Sequence, residues 1–280
     1  MSAGPINVSD QTVILDEGRL FISRQWLEIF SYSGLDSFRA IFDHPGHGVA
    51  KRALDHRFTL KLKLEGPGGA GQLFYIKKYL ARPGEKPGPQ AQAEWNSMWW
   101  FLEEGIAGPE PVALGVDWEA AFVISRAVPN VMKLDEWAER HLASRGTGHQ
   151  GQESQTGLLD GVICEVATIA GRMHRAGMCH QDLYLCHFLC ASERQAIPLT
   201  LIDLQRVRRF PGKLPLGRQV KDLGQLLFSA QRFIGPQEIR RFWQLYREAN
   251  PQNSIPGPLM LPMVRLKAAR IGRHTKRHGL

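Results

Sequence analysis

A short series of polar residues around the middle of the chain carries the chemistry. His180-Gln181-Asp182 follows an apolar helical run that ends in Met173-His174-Arg175-Ala176 and breaks at Gly177. His187 stands five residues beyond Asp182, and Asp203 closes the apolar run Pro198–Ile202. Two carboxylates separated by a loop and a short strand suit phosphoryl transfer. Its loose, highly charged transition state asks for positioning and charge neutralisation rather than covalent chemistry. One carboxylate orients an acceptor hydroxyl and takes its proton late, and the other holds Mg²⁺ against phosphate oxygens. Asp182 is assigned the first role, and Asp203 with His187 the second.

The order and spacing match the His-x-Asp catalytic loop and metal-binding Asp of protein kinases, which place Asn where this chain has His187. Such a site needs a lysine on a strand and a glutamate on a helix upstream. Leu73-Phe74-Tyr75-Ile76-Lys77-Lys78-Tyr79 is strand-like, rich in aromatic and branched residues, and preceded by the glycine-rich turn Gly66–Gly71. Lys77 gives the better register for reaching the α and β phosphates of ATP. Lys78 competes, because alternate residues of a strand point to opposite faces and only one of the two can serve. Glu94 opens a helical segment running to about Glu104 and is the partner expected to fix the lysine ammonium. Asp43–Val49, with Gly46 and Gly48, is read either as a phosphate-covering loop or as a plain hairpin turn. Ala121–Arg126 reads as a buried strand whose backbone, around Ile124 and Arg126, would face adenine. Asp222, opening an apolar helix, is read as a structural cap on the catalytic loop.

These residues also resemble a known family. Ala93-Glu94-Trp95-Asn96, His180-Gln181-Asp182-Leu183-Tyr184-Leu185-Cys186-His187-Phe188 and Ile202-Asp203-Leu204-Gln205-Arg206 are similar to motifs of the lipopolysaccharide kinase (Kdo/WaaP) family, in its heptose(I) kinase branch. Lys221-Asp222-Leu223 and Phe228-Ser229 fit as well. The Tyr-x-Cys-His-Phe portion is the most specific element and accounts for His187. Gln181, Leu183 and Gln205 depart from the Arg, Cys and His of the family pattern, leaving every catalytic group in place. The resemblance runs from about Gly46 to the end of the chain. It implies an α+β, bilobal protein-kinase-like fold and a kinase that uses ATP and Mg²⁺ to phosphorylate an inner-core heptose of lipopolysaccharide. It also implies a cytoplasmic protein at the cytoplasmic face of the inner membrane. A kinase of the same fold acting on another sugar such as Kdo, on a soluble small molecule or on a protein stays open. A pseudokinase is disfavoured by the intact Lys–Asp–Asp set, and a regulated protein kinase by the lack of an Ala-Pro-Glu motif.

The elements that must position the site divide the chain into three stretches. Residues 1–37 are read as an N-terminal extension, 38–127 as a small β-rich lobe, and 128–280 as a larger helical lobe ending in a basic helix. Residues 143–155 are loop-like by composition. A chain of 280 residues with 43% hydrophobic residues can bury a substantial core. Met1–Leu20 shows no apolar leader run, and no stretch is long and apolar enough to cross a membrane. The four cysteines, Cys164, Cys179, Cys186 and Cys190, lack the spacing of paired zinc ligands and read as reduced thiols. The net charge of +8 calls for an anionic partner. Nucleic acid is disfavoured, because no binding module or basic–aromatic surface pattern occurs. Arg265, Lys267, Arg270, Arg273, Lys276 and Arg277 lie on a short helix that suits an anionic membrane surface or the flank of the helical lobe.

Overall fold

The computed structural model describes residues 5–54, 56–129, 131–142, 152–191, 196–252 and 257–278. The chain forms two compact units, Met1–Leu102 with Pro109–Val128, and Glu103–Gly108 with Pro129–Leu280.

The first unit is built on one seven-stranded antiparallel sheet. Its elements are β1 (Thr12–Leu15), β2 (Leu20–Ser23), α1 (Leu27–Tyr32), α2 (Phe38–Asp43), β3 (Val49–Leu54), β4 (Arg57–Glu65), β5 (Gly71–Leu80), α3 (Gly88–Glu103), β6 (Pro111–Val116) and β7 (Ala120–Arg126). The strand order is β1-β2-β6-β7-β5-β4-β3. Alternation sets the two faces of β5. Phe74 and Ile76 join a buried cluster with Phe30, Phe38, Ile41, Leu60, Leu62, Phe122 and Ile124, so α1 and α2 cover that side. Edge-to-face packing of Phe30 on Phe74 and stacking of Phe38 on Phe122 tie these helices to the sheet. Tyr75, Lys77 and Tyr79 point the other way.

The stretch 1–37 is therefore not an extension. Residues 12–23 supply two strands of the sheet, β2 pairing β6 through Leu20↔Gly115 and Ile22↔Ala113, and Ile22, Ile29 and Phe30 are core residues. The short helix expected around Trp26–Phe30 is present as α1. The strands were hidden because Thr12–Leu15 and Leu20–Ser23 are four residues each, too short for a clear period of two.

The second unit contains β8 (Val131–Lys133), α4 (Leu134–Leu142), α5 (Gln152–Arg175), β9 (Met178–Cys179), β10 (Phe188–Ala191), β11 (Thr200–Leu201), β12 (Arg208–Arg209), α6 (Leu216–Ala230), α7 (Pro236–Ala249) and α8 (Gly257–His278). Most of the expected loop at 143–155 lies outside the described residues, and α5 begins at Gln152. The short strands of this unit deliver its site. β9 pairs β12, and β10 pairs β11 on one edge and β8 on the other.

Candidate active site

The catalytic loop begins where α5 must stop. Gly177 adopts φ +73°, and a Cβ there would lie 2.7 Å from the carbonyl oxygen of Phe210 and 2.8 Å from that of Gly212, so only glycine lets the chain turn into β9. β10 takes the chain out of the loop on the other side. Phe188 pairs Leu201, and the Ile202 N–H donates to the His187 carbonyl at 2.8 Å, which sets Asp203 beside His187. A segment of some twenty residues thus folds back on itself, and Asp182, His187 and Asp203 meet.

One face of α6 holds the loop between these strands. Buried Asp222 accepts the His180 N–H on Oδ2 at 2.7 Å and the Gln181 N–H on Oδ1 at 2.8 Å. Gln225 accepts the Leu183 N–H at 3.2 Å and donates to the Gln181 carbonyl at 2.9 Å. The Ser229 hydroxyl accepts the Leu185 N–H at 3.0 Å. Helical spacing of three and four residues puts these side chains in one row, so four loop amides find acceptors on a single rigid element. The capping role read for Asp222 is visible in this geometry. Gln225 was missed and Ser229 was noted only as part of a motif, and their helical spacing after Asp222 was the available signal for the ladder.

His180 stands behind the loop. Its Nε2 lies 3.0 Å from the Ile202 carbonyl, which makes that nitrogen the donor, and burial pushes its pKa down. Its Nδ1 is buried without a partner among the described residues. His180 therefore ties the catalytic loop to the strand that ends at Asp203. Asp203 itself adopts φ +64°, as does Gln181 at +71°, left-handed conformations that cost a non-glycine residue of order 1 kcal/mol or more and gather at functional sites.

Asp182 has a partner that the sequence reading did not assign. Arg206 Nη1 lies 2.5 Å from its Oδ2, and the Arg206 carbonyl accepts from Gln181 Nε2. The arginine belongs to the Ile-Asp-Leu-Gln-Arg motif, so the signal was present without its meaning. His187 faces both carboxylate residues: Nδ1 is 2.6 Å from the Asp182 carbonyl and Nε2 is 3.7 Å from Asp203 Oδ2. Burial lowers its pKa, but hydrogen bonds to the Cys186 side chain and the Asp182 carbonyl, with the charges of Cys186 and Asp203, outweigh it and push the value up to about 9. Cys179 and Cys190 are buried, and desolvation raises each thiol to about 11, so they act as small apolar side chains.

The donor set fits a divalent cation that arrives with a nucleotide. Mg²⁺ takes one or two carboxylates and completes its shell with phosphate oxygens and water. Asp203 offers a partly exposed carboxylate, and no cluster of three or more metal-ligating side chains occurs among the described residues, so no all-protein cage is built. Asp203 would be the ligand. With Nδ1 donating to the Asp182 carbonyl, His187 can add only Nε2, and only as a neutral ring; when protonated it instead balances Asp203.

In the first unit, Glu94 pairs with Lys77 and not with Lys78. Lys77 Nζ lies 2.7 and 2.8 Å from the two oxygens of Glu94 on α3, and the Tyr79 hydroxyl donates to Glu94 Oε2 at 2.9 Å. Lys78 leaves the opposite face, is 4% exposed, and donates to the carbonyls of Phe42 and His44 at the end of α2. Burial lowers its pKa. The Glu-Trp-Asn motif also gains a physical reading. Glu94 orients Lys77, Trp95 Nε1 donates to the Asn7 carbonyl, and Asn96 bonds the Asn7 N–H and the Pro5 carbonyl.

The two glycines lie away from the turn of the hairpin, and Ile124 and Arg126 lie on β7 of the sheet. Gly46 and Gly48 link α2 to β3, at the end of the β3–β4 hairpin opposite its turn. Gly46, at φ +73°, would carry a Cβ 3.0 Å from Leu60 Cβ and the Lys61 carbonyl, so it serves close packing on β4. The hairpin turn itself, residues 54–57, contains no glycine, and its position 55 lies outside the described residues. Ile124 is fully buried with Ile76 and Ala113 as strand partners on its two sides. The Arg126 N–H donates to the Glu110 carbonyl, while its guanidinium pairs with Glu110 and lies over the Trp26 ring.

Comparison with known proteins agrees with this layout. Residues 74–246 match the model of the lipopolysaccharide kinase (Kdo/WaaP) family. The chain is 28% identical to the lipopolysaccharide core heptose(I) kinase WaaP of Pseudomonas aeruginosa over 71% of its length and 75% of that protein. It is 26% identical to the Escherichia coli K12 protein of the same name over 84% of its length and 91% of that protein. A solved structure of WaaP in complex with acyl carrier protein superposes with TM-score 0.65 at 24% identity, covering 92% of this chain and 98% of that one, which shows a common fold. The α+β architecture expected from the motifs is present, and it is the fold of that WaaP structure. Since the matched region spans the Lys77 strand, the catalytic loop, Asp203 and the α6 ladder, the chain belongs to the lipopolysaccharide kinase (Kdo/WaaP) family.

Proposed function

We propose that this protein transfers the γ-phosphoryl group of ATP, with Mg²⁺, to a hydroxyl of an inner-core heptose of lipopolysaccharide. The observation that carries the reading is the Asp182 carboxylate, presented on a loop whose amides are held by α6 and paired with Arg206 from the Asp203 motif. Asp182 orients the acceptor hydroxyl and takes its proton as the new O–P bond forms and ADP leaves with the old one. Lys77, fixed by Glu94, meets the phosphates of the nucleotide. Asp203, with His187 beside it, would hold the cation, which when bound neutralises charge on the phosphate oxygens. The heptose acceptor is the substrate in the names of both curated relatives.

The test is direct. Purified protein with labelled ATP, Mg²⁺ and core glycolipid should yield phosphorylated heptose by mass spectrometry, and Asp182→Asn should lower turnover by about three orders of magnitude while leaving nucleotide affinity near wild type. Label appearing only on Kdo or on a soluble sugar would redirect the acceptor assignment. Residual Asp182→Asn turnover within tenfold of wild type would remove Asp182 from its role.

We also propose that the enzyme works on an anionic membrane surface, at the cytoplasmic face of the inner membrane. Support comes from α8. Met260, Val264 and Ala268 are its buried stripe, while Leu259, Met263 and Leu266 are exposed beside Arg265, Arg270 and Arg273. No helix among the described residues is long and apolar enough to cross a membrane.

A further inference from the structure

Three cations, Arg206, Arg218 and Lys221, lie beside the loop that carries Asp182, and only two of them have partners on it. Arg206 pairs with Asp182 through one guanidinium nitrogen and is more than half exposed, which leaves other N–H donors of its fork available. Arg218 Nη1 donates to Gln181 Oε1 at 3.3 Å, and its guanidinium lies 5.9 Å from the centre of the Phe210 ring. Lys221 follows Arg218 by three residues on α6 and so shares its flank of the helix. It makes no hydrogen bond or ion pair among the described residues, although it is partly buried. Burial, then the charges of Arg206 and Arg218, lower its pKa against the opposing pull of Asp182 and Asp222. Asp222 is fully buried and holds two backbone amides and the His174 ring, which leaves Asp182 as the more exposed carboxylate beside these cations.

A half-buried ammonium packed among like charges with no partner is unfavourable on its own and becomes favourable when an anion arrives. The loop offers no cation of its own between Asp182 and His187, since none of Leu183, Tyr184, Leu185 and Cys186 is a basic residue. Because Asp182 meets the acceptor hydroxyl, a ligand of these cations lies on the acceptor side. We propose that Lys221, with Arg206 and Arg218, forms an acceptor subsite that binds an anionic group, a sugar carboxylate or a phosphate ester, carried by the glycolipid beside the hydroxyl that is phosphorylated. Arginine forks suit either group, and the lysine adds a point charge. The inference rests on the proposed kinase activity and adds a determinant of acceptor choice to it.

Steady-state kinetics of Lys221→Met and Lys221→Arg test it on three acceptors: intact core oligosaccharide, the same molecule with its carboxylates reduced to alcohols, and the same molecule dephosphorylated. Lys221→Met should raise the acceptor KM roughly tenfold or more, the size expected for losing one charged hydrogen bond, with kcat and the KM for ATP within about twofold of wild type. On the acceptor that has lost the recognised anion, wild type should show the same weakening and Lys221→Met no further loss, which tells carboxylate from phosphate. Lys221→Arg should recover most of the affinity. Equal penalties on intact and both neutralised acceptors, an unchanged KM, or a rise confined to the KM for ATP would overturn the subsite. Should Lys221→Met fail to fold, wild-type protein decides: its preference for intact over neutralised acceptor must exist and shrink with salt. Wild type that phosphorylates none of the three overturns the kinase reading and this subsite together, whereas turnover of all three with no charge preference overturns the subsite alone.

Discussion

Adjacent lysines on β5 leave the sheet in opposite directions, and that single geometric fact separates catalysis from stability. Lys77 meets Glu94 on α3, while Lys78 caps the last carbonyls of α2. Lys77→Met should cut kcat/KM by about two orders of magnitude or more, because a positioned charge on the phosphates is lost. Lys78→Met should leave kcat within about twofold and destabilise the fold by about 1–3 kcal/mol, the desolvation of carbonyls left without a donor. Kinetics paired with urea unfolding check both, and equal loss of activity in the two variants would sink the division. The sequence established that one lysine serves, because strand alternation demands it, but the choice depended on which face α3 covers. Ile124 shows the same limit from the other side. Its apolar neighbours predicted burial, and the structure buries it fully between two strands.

At the scale of elements, α6 does for the second unit what β5 does for the first. Asp222, Gln225 and Ser229 accept four loop amides in a row, so their substitutions should be graded by the number of donors stranded. Asp222→Ala strands two buried N–H groups and should cost about 2–6 kcal/mol; Ser229→Ala strands one and should cost about 1–3 kcal/mol. Turnover should fall in the same order, with nucleotide affinity affected least, because the loop presents Asp182 and not the phosphates. Denaturant unfolding and kcat measured on the same samples would show this. A Ser229→Ala loss equal to that of Asp222→Ala would argue against a ladder of separate bonds. Sequence motifs located the loop and its cap because the residue types there are dictated by chemistry. They could not place β1 and β2, whose four-residue strands follow from pairing with β6, nor separate the Gly46–Gly48 connector from a phosphate loop. Both kinds of turn ask for glycine, and only strand connectivity distinguishes them.

For the molecule as a whole, the open question is what the basic side of α8 meets. Its two faces are distinct: Met260, Val264 and Ala268 recur at the spacing of four that buries one stripe, and Leu259, Met263, Leu266 and Arg270 stand out on the other. Lys276 and Arg277 belong to the same basic run, but their side chains lie outside the described residues. Leu266 is 52% exposed, so the apolar and cationic groups share the outer face. That combination suits the headgroup region of an anionic bilayer, where each cation contributes about 1 kcal/mol. Changing Arg265, Arg270 and Arg273 to Gln should therefore weaken binding to phosphatidylglycerol vesicles by on the order of 100-fold in co-sedimentation at low salt. The difference should shrink near 1 M salt, where the screening length falls to about 3 Å. Leu266→Ser should also weaken vesicle binding while leaving the melting temperature near wild type, whereas Val264→Ser, on the buried stripe, should lower it by several degrees. Turnover on a short soluble oligosaccharide should survive the three arginine changes, since none of them belongs to the Asp182 site. Vesicle binding indifferent to charge, to salt and to Leu266 would remove the membrane from the account and leave α8 as a support for α6 alone.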